Sequence, residues 1–118
     1  GFARKLGLPM ASLQNKAGQY VSPSDQSGQA ALLSNIAQLP PNLRLYVPDP
    51  DGPESYPIVS LSWLLLCERY PDQEKSAALR RFVTWGLSSG QPYATELGYI
   101  PLPAEITSLS PAALERIQ

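Results

Sequence analysis

Arg80 and Arg81, the acids Asp49 and Asp51, and the hydroxyls Ser60 and Ser62 are the residues whose types and spacing bear on chemistry. Adjacent guanidiniums suit phosphate or carboxylate, and closely spaced acids are how a calcium loop begins. Serines at i and i+2 of a strand share one face and can hydrogen-bond a ligand. Each reading meets a plainer one. Arg80 and Arg81 flank an apolar helical stripe and read as its solvated face. No third oxygen ligand follows Asp51 at EF-hand spacing. Ser60 and Ser62 serve a neighbouring backbone equally well. The sequence has no histidine and a single cysteine, Cys67. That removes a histidine general base, a Ser-His pair and the Cys/His zinc patterns. Cys67 lies in an apolar run and reads as a small buried hydrophobe rather than a reactive thiol. Gly86, Gly90 and Gly98 match neither a dinucleotide fingerprint nor a P-loop, and they fall where helix ends use glycine. The residues give no catalytic site, no metal site and no cofactor, and the chain reads as non-enzymatic.

The element on which the rest is organised is Tyr56-Pro-Ile-Val-Ser-Leu-Ser-Trp-Leu-Leu-Leu-Cys67, the one long apolar run. It is too continuous for a half-exposed strand and fits a strand buried on both faces of an α/β sheet. Periodicity alone does not separate it from a buried helix segment. Gly52-Pro53 before it and Tyr70-Pro71-Asp72 after it favour the strand.

Around this run the chain, 118 residues long, has the size of one small domain. Its 43% hydrophobic and 16% charged residues mark a globular protein. A net charge of −1 gives no electrostatic case for nucleic acid or an anionic membrane. The 13 prolines, about twice the usual share, punctuate the chain heavily. No apolar stretch is long enough to span a bilayer. The opening Gly-Phe-Ala-Arg-Lys-Leu-Gly is not a signal peptide, since no apolar segment follows its charges.

In chain order, residues 1–9 read as the end of a helix, with Arg4 and Lys5 near its C-terminus and Gly7 closing it. A helix end without its beginning is expected of a chain cut from something longer. Ser12-Leu13-Gln14 and Gln19-Tyr20-Val21 predict a hairpin around Asn15-Lys-Ala-Gly18. Ser22 is expected as the N-cap of the next helix, with Pro23 at N1 and Asp25 at N3. Ala30, Leu32, Leu33, Ile36 and Ala37 form its apolar stripe, and Pro40-Pro41 ends it. Leu43, Leu45 and Val47 alternate with Arg44 and Tyr46 as in a short strand. Residues 48–53, Pro-Asp-Pro-Asp-Gly-Pro, break the chain in a surface loop or a hinge. Asp72 caps a helix running to Ser88 or Ser89, with Ala78, Leu79, Phe82, Val83, Gly86 and Leu87 on its buried face and Trp85 at the edge. Gly90 is expected as its C′ residue. A helix from Gln91 to Leu97 stops at Gly98, Tyr99-Ile-Pro-Leu-Pro103 is extended, and a last helical region begins near Ala104.

Ser12-Leu-Gln-Asn-Lys-Ala-Gly18 with Val21-Ser-Pro-Ser24 resembles the second lobe of periplasmic phosphate-binding proteins, the receptors of phosphate ABC transporters. Tyr56-Pro-Ile-Val-Ser60, Ala78-Leu-Arg-Arg-Phe-Val-Thr-Trp85, Gly90-Gln91 and Glu96-Leu-Gly-Tyr-Ile-Pro-Leu-Pro103 continue the likeness in order, from about Phe2 to Ala113. The resemblance implies an α/β chain that is part of a two-lobed type II periplasmic-binding-protein fold. Residues 1–52 would close the second lobe, and residues 53–118 would supply a crossover strand and C-terminal helices returning to the first. It implies inorganic phosphate as ligand of the whole receptor, an ABC transporter permease as partner, and a periplasmic or cell-surface location.

The family holds phosphate with hydroxyls, helix N-terminal amides, an arginine and an aspartate drawn from earlier segments. A Ser-Gly-Thr type turn among them has no counterpart here; Ser27-Gly28-Gln29 is the nearest string, in another context. No phosphate-binding residue is therefore expected in this segment. The resemblance also leaves the run at residues 56–67 without sheet neighbours, exposing apolar surface and unpaired backbone. One departure is Ser110-Pro111, which interrupts the family's closing helix and predicts a new short helix capped by Ser110, with Leu114 and Ile117 inward. The alternative reading is a shortened relative that binds no phosphate and acts as a structural or interaction module, covering its exposed strand by self-association.

Overall fold

Caps and tight turns, more than any sheet, shape the chain in the computed structural model, which describes all 118 residues. Helix α1 (Phe2–Leu6) ends at Gly7, whose φ of 64° is the left-handed conformation that a residue without a Cβ adopts cheaply. Strands β1 (Leu13–Gln14) and β2 (Tyr20–Val21) pair antiparallel, Leu13 opposite Val21. The turn between them has the predicted positive φ at Gly18.

Helix α2 (Asp25–Leu33) begins two residues later than expected. Ser24, not Ser22, is the cap, and the partner three residues on is Ser27 rather than an acid. The Ser24 hydroxyl accepts from the Ser27 amide at 3.0 Å, and the Ser27 hydroxyl accepts from the Ser24 amide at 2.9 Å. This reciprocal box satisfies two amides that a helix start leaves open. A single 3-10 turn (Ile36–Gln38) follows before Pro40.

Residues 43–47 keep the predicted alternation without forming a strand. Leu45 and Val47 are buried while Arg44 and Tyr46 are exposed, yet no ladder forms. Leu43 has a φ of 58°, a conformation a branched side chain adopts only under constraint, and it interrupts the extended geometry.

The apolar run at residues 56–67 is the main correction. It is extended, but its one backbone pairing is a bridge between Pro48 and Ile58. Ile58 is 72% exposed and Leu65 84%, and Cys67 is exposed rather than buried. A strand buried on both faces needs neighbouring strands, and this chain places none beside it; Val59 and Leu61 pack partly on the core while much of the rest stays open. The lack of sheet neighbours is what the family likeness leads one to expect.

Helix α3 (Gln73–Gly86) starts where predicted, with the Asp72 carboxylate accepting from the amides of Glu74 and Lys75 at 2.9 and 3.1 Å. It ends at Leu87, earlier than expected, and Gly90 does not adopt positive φ, so it is not the C′ glycine. The expected stripe is covered only in part: Leu79, Val83, Gly86 and Leu87 are half-buried, Ala78 and Phe82 are exposed, and Trp85 at its edge is 48% exposed. Helix α4 (Pro92–Glu96) stops before Gly98 at a φ of 82°, as predicted. Two short helices follow, α5 (Ala104–Thr107) and α6 (Ser110–Leu114). Ser110 lies inside α6 instead of capping it; its buried hydroxyl donates to the Ile106 carbonyl, and Ile117 is buried as expected.

The core is small. Leu32, Leu45, Val47 and Ile106 are its buried members, with Ile36, Leu39, Val59, Leu61 and Leu102 packed partly against them. The strap at residues 99–103 ties onto α2. Gln29 Nε2 donates to the Pro101 carbonyl at 2.9 Å, and Gly28 lets Ile100 sit where a Cβ would come within 2.3 Å of its Cδ1. The Cα radius of gyration is 16.2 Å, against about 13.5 Å for a compact domain of this length.

Candidate functional site

Anion capture needs donors that no other group in the protein already uses. The two helices long enough to matter have committed theirs. The α2 N-terminus is filled by the Ser24–Ser27 box, and Arg4 Nη2 pairs with Asp25 beside it at 2.8 Å. The α3 N-terminus carries its own carboxylate, Asp72, which repels an incoming anion. Ser27-Gly28-Gln29 is used structurally at each position: cap, close contact with Ile100, and tie to Pro101.

Arg80 and Arg81 are exposed and in no ion pair. They line a shallow, open crevice of about 600 Å³ with Thr84, Trp85, Ser88 and Ser89. Nothing there buries a charge, so the reading as a solvated face fits. Asp51 accepts Lys16 Nζ at 2.8 Å and Asp49 adds its charge to the same ammonium, so the two acids face a lysine and assemble no metal site. No group of three or more acids, cysteines or histidines is assembled anywhere in the chain. Ser60 donates to the neighbouring Leu61 carbonyl at 3.2 Å, and both Ser60 and Ser62 face solvent.

An apolar groove of about 400 Å³ lies between the run at residues 56–67 and the helices that follow it. Leu61, Leu66, Val83, Leu87 and Leu114 line it. Trp63 Nε1 donates to the Leu43 carbonyl at 3.0 Å. At its rim Arg116 Nη2 is held by Glu68 at 2.7 Å, so its charge is neutralised on the spot. The groove suits hydrocarbon, not a dehydrated anion.

Sequence reading missed a heavily bonded side chain, Asn15. It is 5% exposed, and its Nδ2 donates to the carbonyls of Gly52, Pro53 and Ser55 at 3.1, 2.8 and 3.2 Å. Its Oδ1 accepts from the Gln19 amide at 3.0 Å. Next to it, the hydrogen bond and charge of Asp51 hold the Lys16 ammonium above the ordinary lysine pKa. Asparagine ahead of Lys-Ala-Gly signals a turn; the loop it grips lies far along the chain and leaves no local trace.

No protein-family model matches the chain. It is 35% identical over 105 residues to the phosphate-binding protein PstS of Pasteurella multocida, covering 89% of this chain and 30% of that protein. To PstS of Haemophilus influenzae it is 35% identical over 107 residues, covering 91% and 32%. To PstS of Methanocaldococcus jannaschii it is 32% identical, covering 99% and 33%. The chain thus spans about a third of the length of these curated relatives. The motifs and the alignments agree: along almost all its length the chain is similar to part of the phosphate-binding protein PstS.

Proposed function

We propose that the chain is the C-terminal portion of a two-lobed receptor that captures inorganic phosphate and delivers it to an ABC transporter permease. The reading makes it a periplasmic or cell-surface binding protein rather than an enzyme. Residues 1–52 would complete the second lobe, and residues 53–118 would carry the chain back to the first. The observation that supports this best is the likeness to PstS across nearly the whole chain, joined to an extended apolar run that has no partner within it. The phosphate ligands would come from the rest of the receptor, because the donors in this segment are committed or exposed. Closure of the lobes over the anion would then be a population shift driven by tighter binding in the closed state. In the receptor each part would pack in its own lobe, and the small core joining Leu32 to Ile106 would be rearranged.

The test is calorimetry with inorganic phosphate on two proteins: this chain, and the product of the whole gene containing it. The whole product is expected to bind phosphate and the chain alone to show no saturable heat. Saturable phosphate binding by the chain alone would overturn the assignment of the ligands to other segments. A gene product of this length that binds none would overturn the receptor reading.

A further inference from the structure

The proline cluster at residues 48–53 looks, by composition, like the place where the chain would bend. The structure fastens it instead. Asn15 Nδ2 reaches three carbonyls at the end of the cluster and just past it, those of Gly52, Pro53 and Ser55. Lys16 holds the Asp51 carboxylate at 2.8 Å, and the Ser55 hydroxyl donates to the Asp51 carbonyl at 2.7 Å. The Tyr56 amide donates to the Ser27 carbonyl at 3.1 Å, and the Tyr56 hydroxyl donates to the Ala11 carbonyl at 3.3 Å. Pro50 and Ser55 are fully buried. These ties join the hairpin, the loop and the start of α2.

Past Ile58, which is bridged back to Pro48, the backbone ties end: no amide from Ser60 to Leu66 donates a hydrogen bond within the chain, although Trp63 Nε1 donates to the Leu43 carbonyl. The two N–H hydrogens of a buried amide shared among three carbonyls explain why asparagine serves here: a carboxylate would repel all three, and an apolar side chain would leave them unsatisfied.

We propose that Asn15 is a latch that makes the proline loop rigid with the hairpin and α2, and so moves the chain's turning point to the residues beyond Ile58, where the bridge to Pro48 ends. Its use as a pivot between lobes rests on the receptor reading; the latch itself does not. In a moving receptor the proline cluster would travel with the second lobe as one piece.

Amide hydrogen exchange on the 118-residue chain tests it, in the wild type, Asn15→Ala and Asn15→Asp. In the wild type the amides of Ser55 and Tyr56 are expected to exchange at least about tenfold more slowly than those of residues 60–66. Both variants should bring Ser55 and Tyr56 to the rate of residues 60–66, while α3, which Asn15 does not touch, keeps its protection as the control for folding. Wild-type Ser55 and Tyr56 exchanging as fast as residues 60–66 would overturn the latch, even if a variant fails to fold. Unchanged protection in a folded Asn15→Ala would overturn it too. Neither result depends on phosphate, so failure of the latch and failure of the receptor reading are told apart.

Discussion

Lys16 and Asp51 show how a single exposed pair reports on the loop it spans. The ammonium's pKa lies above the ordinary lysine value of 10.5, chiefly through its hydrogen bond to Asp51 and secondly through the charge of that carboxylate. A group whose pKa is raised by folding stabilises the fold while protonated. The contribution is therefore fully present below about pH 10.5 and is lost as pH climbs through the higher folded value. Lys16 is exposed, so solvent screening makes the effect small. Following the Lys16 side-chain resonances through an alkaline titration should give a lower midpoint in Asp51→Asn than in the wild type. Identical midpoints would mean that the pair is open in solution. Asn15, its neighbour, carries the greater structural weight, because its donors are buried and have no water to turn to.

Among the elements, the legible ones were those fixed within a few residues of themselves. Gly7, Gly18 and Gly98 adopt positive φ, Asp72 caps its helix, and the hairpin forms around Asn15-Lys-Ala-Gly18. These depend on local sterics and orphan amides, which the order of residues records. The start of α2 shifted because Ser22 and Ser24 are equally good caps, and Ser27 completes a box only with Ser24. The apolar run could not be read fully, since the strand its residues suit needs partners outside itself. The same distinction governs how α2 meets the strap at residues 99–103. Gly28→Ala alone should raise helix propensity by up to about 1 kcal/mol, but its Cβ would meet Ile100 Cδ1, which must turn aside. That atom ends a flexible side chain, so the cost lies at the low end of the range for overpacking, about 1–3 kcal/mol, and a net loss under about 1 kcal/mol is expected in denaturant unfolding. Ile100→Val removes the colliding methyl, so its effect on stability should be more favourable in the Gly28→Ala background than in the wild type. A double variant that shows no such coupling would mean that Ile100 does not lie against Gly28 in solution.

For the whole molecule, the balance between apolar surface and its cover is what separates this chain from a self-sufficient domain. Only 14 of 118 residues are buried, the chain is more extended than its length requires, and one side of α3 presents Phe82, Trp85 and, from α4, Tyr93 as a row of rings about 6.1 Å apart. The helical stripe was read correctly from its spacing. Its burial was not, because spacing says which residues want cover and nothing about what supplies it. Trp85→Ala separates the two. In this chain a side chain 48% exposed loses little on truncation, so unfolding should shift by about 1 kcal/mol or less. In the longer receptor proposed above, the first lobe would cover the same face, and the loss should rise to about 3–5 kcal/mol, the cost of emptying a buried tryptophan site. Chemical denaturation of both proteins, with and without the substitution, gives the four numbers required. A large loss in the longer protein alone would mean that α3 is amphipathic toward a surface the rest of the receptor supplies. Equal, small losses in both would leave the aromatic row facing solvent in the receptor as well, and would remove the packing argument for returning residues 53–118 to the first lobe.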